Sequence, residues 1–264
     1  MDEGIFIAVS GIVKQTRKME VLSNNLANLS NVGFKKDQLV FEALMPPFKQ
    51  DLSFEASRNV LLPASQSNEN VAYVGVSGSA TDMAQGTLEK TGNVFDLALD
   101  GSGYFAVQTP EGVRYTRKGN FQLDTQSRLT TQNGFPVLNN QGKPLILRQG
   151  IKDVNIDING AISSGVALNN QPVGNIKVLK FAEGALLEKQ GDGLYRSVDP
   201  TQKEQPAPDT AVRQGFLEQS NVNSVEEMTK MITTVRGFEG MQRLIRGLDQ
   251  IDGQAANTLG RLNP

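Results

Sequence analysis

The chain has 264 residues, 38% of them hydrophobic and 20% charged, enough for one large folded unit or two smaller ones. A formal charge of −2 provides no broad basic surface, so neither nucleic acid nor an anionic membrane is an expected partner. There is no Cys, His or Trp, which removes Ser-His-Asp and Cys-His catalysis and any thiolate- or imidazole-bound metal, and no cofactor is expected.

At the N-terminal end, Ile5, Ile12, Met19 and Leu26 recur every seven residues, with Ala8, Leu22 and Leu29 three places after members of that series. This is a heptad seam with a gap at Gln15, and it predicts a helix over residues 3–31. Gly33 is expected to close the helix in the left-handed conformation, with Phe34 packing back on the last turn. No run approaches the roughly 18 consecutive apolar residues of a membrane span. The opening residues lack the basic and apolar regions of a cleavable signal, so any export is expected to leave the N-terminus in place.

Residues 46–70 and 199–210, rich in Pro and polar residues, read as connectors around a β-rich stretch. Within it, Leu97-Ala98-Leu99, the turn Asp100-Gly101-Ser102-Gly103 and Tyr104-Phe105-Ala106-Val107 read as strand, turn, strand. Further short strands are predicted at Val113–Tyr115, Phe121–Leu123, Leu129–Thr131 and Val154–Ile158, a pattern that suggests an antiparallel barrel or sandwich. The far end repeats the pattern of the near one. Ser224-Val225-Glu226-Glu227 reads as a capping box, followed by a seam of Met231, Phe238, Ile245 and Leu259 with Thr234, Met241, Leu248, Ala255 and Leu262, broken only at Asp252. Gly237, Gly240, Gly247 and Gly253 each cost such a helix roughly 1 kcal/mol, so packing must hold it.

The expected fold is α+β: N- and C-terminal helices paired as a coiled-coil-like unit around an inserted, mainly antiparallel β domain. The boundaries read as 1–34 for the first helix, 35–75 for an extended connector, 76–213 for the β domain, 214–223 for a return connector and 224–264 for the second helix. Candidate chemistry is sparse. Asn155–Gly160 imitates the start of a calcium loop, but Val166 stands where a bidentate Glu is needed, and the alternation of Val154, Ile156 and Ile158 explains it as a strand. Paired carboxylates such as Asp96 with Asp100 motivate only an alternative reading, a carboxylate-dependent cell-wall hydrolase. The strongest local feature is the amide cluster Asn24, Asn25 and Asn28. Asn24 and Asn28 share a face, placed to cap helix carbonyls or to bond a neighbouring chain.

Three segments carry a resemblance to a known family. They are Asn24-Asn25-Leu26-Ala27-Asn28 with Gly33-Phe34-Lys35, Asp100–Val107 with Tyr115–Phe121, and Ser220-Asn221-Val222-Asn223-Ser224-Val225-Glu226-Glu227-Met228. On these the chain resembles the flagellar axial family of rod and hook proteins. The resemblance implies a structural rod subunit, not an enzyme, whose terminal helices stack with those of other rod subunits and possibly of its own kind. It also implies surrounding basal-body rings as neighbours, location in the periplasm-spanning rod, and export by the flagellar type III apparatus without a cleaved signal. The implied assembly residues are Ile5, Ile12, Met19, Leu22, Asn24, Asn25, Leu26, Asn28, Gly33 and Phe34 at one end. At the other they are Ser220, Asn221, Val222, Asn223, Met231, Phe238, Met241, Ile245, Leu248 and Leu259.

Overall fold

A computed structural model describes residues 2–44, 73–147, 154–164, 171–182, 187–199 and 204–260. The fold is α+β, with two helices packed together and a mainly antiparallel β region. The chain divides into two compact units, residues 1–26, 37–81 and 224–264 in the first, 27–36 and 82–223 in the second.

The first unit contains α1 (Asp2–Ala27), α2 (Ser224–Gly260) and a two-stranded antiparallel ribbon of β1 (Asp37–Leu44) and β2 (Tyr73–Thr81). The helices run antiparallel. A Cβ placed on Gly11 would lie 3.3 Å from Met241 Sδ, one on Gly237 would lie 2.9 Å from Gln15 Nε2, and Asn25 hydrogen-bonds Glu227. Steps along α1 from Gly11 to Gln15 to Asn25 are thus matched by equal steps back along α2, from Met241 to Gly237 to Glu227. Ala8, Leu22 and Asn25 on α1 and Glu227 and Thr234 on α2 are buried along this line. Gln15, the gap in the sequence pattern, sits opposite a residue with no side chain and fills the space it leaves.

The second unit takes its core from alternating inward side chains of short strands. Its six-stranded sheet runs β13 (Leu187–Lys189), β14 (Leu194–Ser197), β6 (Gly112–Thr116), β5 (Tyr104–Thr109), β12 (Val178–Lys180), β15 (Gln205–Pro206). A three-stranded sheet joins β9 (Val154–Ile156), β10 (Ala161–Ser164) and β11 (Gln171–Asn175), where Gly160 supplies the positive φ of the β9–β10 turn. Smaller pairs are β3 (Leu88–Lys90) with β17 (Phe216–Glu218), β4 (Leu97–Asp100) with β16 (Ala211–Gln214), and β7 (Gln122–Leu123) with β8 (Leu129–Thr130). Leu97, Leu99, Phe105, Val107, Leu129, Val137, Ile162 and Ile176 form the main apolar cluster, each at most 2% exposed. Tyr104, Tyr115, Tyr195 and Leu179 form a second.

Several local readings change. α1 ends at Ala27, not near residue 31, because Asn28 to Phe34 is spent on two turns, Asn31 N–H to Asn28 O at 3.1 Å and Phe34 N–H to Asn31 O at 3.2 Å. The strand, turn, strand reading over 97–107 holds, but the two strands are not partners of each other. β4 pairs with β16 and β5 with β6 and β12, since the chain leaves one pair for another across Gly101–Gly103. β1 and the first three residues of β2 fall within the stretch read as an extended connector, and β17 within the return connector. The whole 46–70 connector, Leu262, and the side chains of Ile5, Asp252, Ala255 and Leu259 lie outside the described residues.

Candidate functional site

The residues nominated from sequence fall on two features, the seam between the helices and a polar junction in the second unit. On the seam, Asn25 does what no apolar side chain there can. It is 1% exposed, donates through Nδ2 to Asp37 O at 2.9 Å and to Glu227 Oε2 at 3.1 Å, and accepts the Asp37 N–H at 2.9 Å through Oδ1. Asp37 also accepts the Thr81 hydroxyl, so one amide ties α1, α2 and the root of the ribbon together. Glu227 takes Lys230 on its other oxygen at 3.0 Å; the expected capping-box acid is instead a seam residue. Its carboxylate and that of Glu226 hold the Lys230 ammonium above the usual lysine range, the Glu226 hydrogen bond contributing most. Leu22 is buried; Ile12, Met19, Leu26, Met231, Phe238, Met241, Ile245 and Leu248 are half-buried along the two helices. Asn24 is exposed and Asn28 accepts Asn31 Nδ2 at 2.6 Å, while Asn25, between the two that share a face, reaches Glu227 of α2.

The junction joins the segment just after α1 to the segment just before α2. Gly33 N–H donates to Glu218 O at 2.7 Å, Lys36 N–H to Asn221 Oδ1 at 2.7 Å, and Asn221 N–H to Phe34 O at 3.3 Å. Asn221 Nδ2 donates onward to Asp82 O at 2.9 Å and Ala84 O at 3.1 Å. Beneath this lies a buried ionic group. The side chains of Lys35 and Glu218 are fully buried and meet at 2.5 Å; Arg117 reaches the other Glu218 oxygen at 3.2 Å, and Gly86 N–H donates to Glu218 at 2.9 Å. Burial pushes the Lys35 ammonium below its ordinary value, against the pull of Glu218. Removing one member of such a group costs about 3–5 kcal/mol, because the others stay buried and charged. Gly33 has φ of +66°, as expected, but its N–H serves Glu218 and not α1, and a Cβ there would lie 2.7 Å from the Arg117 carbonyl carbon. Phe34 lies under Lys189 Nζ at 4.5 Å from the ring centre. Ser220 accepts the Val222 N–H at 3.3 Å, Val222 is buried and Asn223 exposed.

Sequence reasoning missed Asp37, Asp82, Lys35, Arg117 and Glu218. No spacing rule shows which distant residue each of these charges meets. Lys35 and Arg117 stood inside two of the quoted motifs, and that was the available signal.

A buried amide on an antiparallel helix seam and a hydrogen-bonded junction where both helices leave the β unit define a class, a subunit with paired terminal helices and an inserted β unit. Comparison with known proteins makes the class specific. Residues 5–35 match the family described as flagella basal body rod protein, residues 98–164 the flagellar hook protein FlgE/F/G D1 domain, and residues 213–259 the flagellar basal body rod FlgEFG protein C-terminal. The flagellar basal-body rod protein FlgF of Caulobacter vibrioides is 30% identical over 263 residues, 100% of each chain. FlgG of Buchnera aphidicola from Acyrthosiphon pisum is 36% identical over 95% of this chain and 97% of its own, and FlgG of Bacillus subtilis 32% over 97% and 99%. The chain belongs to the flagellar basal-body rod family, of the FlgF/FlgG kind, and is a structural subunit of that rod. These matches give the hydrolase alternative no support. No described helix is long and apolar enough to cross a membrane.

Proposed function

We propose that the chain polymerises through its terminal helices, with residues 1–34 and 224–264 as the assembly elements and the β unit carried between them. The observation that supports this is a second apolar stripe on α2. Val225, Met228, Ile232 and Val235 are spaced as a heptad seam and are 71%, 53%, 54% and 36% exposed, on a face turned away from Glu227, Thr234 and Met241. A helix already packed along one side and apolar along another has a place for a further helix. The partners are other rod subunits, proximal and distal, and further copies of this chain, within the surrounding basal-body rings. The subunit reaches the rod by the flagellar type III apparatus with its N-terminus uncleaved.

The test is Ile232→Glu in the full chain, produced in cells lacking the natural copy. Ile232 is exposed, so the purified variant is expected to melt within about 0.5 kcal/mol of the parent, while rods and motility are lost on electron microscopy of basal bodies and on swarm plates. Complete rods carrying the variant would refute the assignment of this stripe to assembly.

A further inference from the structure

The helix seam alone does not specify which residue of α1 meets which of α2. Both helices repeat every seven residues, and beyond Asn25 the close contacts are between small or flexible groups, Gly11 with Met241 and Gly237 with Gln15. A slip of α2 by one heptad places Thr234 opposite Gly11 and the flexible Lys230 opposite Gln15, and forfeits the Asn25–Glu227 hydrogen bond. Something else must hold the register.

We propose that the junction in the β unit sets it, with Asn221 as the positioning residue. Asn221 makes four hydrogen bonds there: its Oδ1 accepts Lys36 N–H, its Nδ2 donates to Asp82 O and Ala84 O, and its N–H donates to Phe34 O. Glu218, two residues before Ser220, is locked by Lys35 and Arg117. The chain from Asn221 to Ser224, the first residue of α2, passes only through Val222 and Asn223, and three residue steps reach about 10 Å fully extended. A heptad slip moves α2 by about 10 Å along its axis. That would require the whole reach of the connection beyond the distance it already covers, so α2 cannot withdraw by a heptad while Asn221 keeps its partners. On the α1 side, the turns Asn28–Asn31 and Asn31–Phe34 keep the connection short as well. This inference goes beyond the assembly reading and concerns the single chain.

The absence of native cysteine makes the test direct, because two introduced thiols are the only ones present. In dilute full-length chain, Gln15→Cys with Gly237→Cys reports the native register, and Gln15→Cys with Lys230→Cys reports withdrawal of α2 by a heptad. Oxidation is expected to favour the first pair at least tenfold. Adding Asn221→Ala, or inserting Gly-Ser-Gly-Ser after Val222 to lengthen the connection by about 13 Å, is expected to raise the second pair's yield severalfold. The insertion leaves the junction intact, so it decides the matter if Asn221→Ala weakens the β unit. The proposal is overturned if both pairs oxidise equally in the parent, if the insertion leaves the native pair favoured as before, or if Asn25→Ala alone produces the shift. Loss of rods on Ile232→Glu bears on assembly only, and does not alter these cross-linking outcomes.

Discussion

Asn25 carries an unusual share of its neighbourhood for one amide. Its three hydrogen bonds go to two backbone groups of Asp37 and to Glu227, and truncation to Ala leaves the Asp37 N–H and C=O without them at a site that is 1% exposed. Unsatisfied buried groups cost about 1–3 kcal/mol each. Asn25→Ala is therefore expected to lower the protection of α1 backbone amides by about 2 kcal/mol in hydrogen exchange, with amides of the β4–β16 pair unchanged; equal loss in both would show that the effect is global. At this scale the sequence was only half legible. The spacing of Leu22 and Leu26 placed the seam, and the amides stood out, but Asn24 and Asn28 drew attention because they share a face. Which amide turns inward is settled by Asp37 and Glu227, a partner twelve residues on and one on the other helix.

Among elements, β15 illustrates how a very short edge strand is kept in place. Its two residues pair with Leu179 and Lys180 of β12, and the residue before it, Glu204, accepts Lys177 Nζ at 2.6 Å and the Tyr115 hydroxyl of β6. Partial burial works against the Glu204 charge, yet the Lys177 and Tyr115 hydrogen bonds outweigh it and hold the carboxyl below its ordinary range. A depressed folded value gives stability that is present above the unfolded value and lost as pH falls through the folded one. The β unit's midpoint in urea is expected to decline as pH drops below about 4.5, and Glu204→Gln is expected to flatten part of that decline; identical acid profiles would remove Glu204 from the account. Strand positions such as β6, β8 and β9 were legible from alternation. Their pairing was not. β4 bonds a strand more than a hundred residues later, and a local turn signal at Gly101–Gly103 carries no information about that.

For the whole molecule, the two units differ in what holds them. The β unit has a large cluster of side chains at most a few per cent exposed, whereas the described part of the helix pair buries chiefly Ala8, Leu22, Asn25, Glu227 and Thr234 and carries Gly240 and Gly247 facing open space. Weakly packed helices open locally with low free energy. In dilute solution a non-specific protease is expected to cut α1 and α2 well before the β unit, leaving a fragment close to residues 27–223; simultaneous loss of both units would mean that they unfold as one. The α+β architecture was legible because heptads and alternation are properties of single segments, and the junction was not because it is built from contacts among segments.

The ionic group of Lys35, Glu218 and Arg117 lies under that junction. Hydration of charged groups becomes less favourable on warming, so the desolvation penalty of buried ions shrinks as temperature rises, while apolar burial gains little per unit area. The anchorage from which both helices depart thus has a different thermal slope from the apolar cluster beside it. Heat that loosens the β core in general weakens this anchorage less, which favours keeping the two helix roots tied together in the warm, partly opened chain.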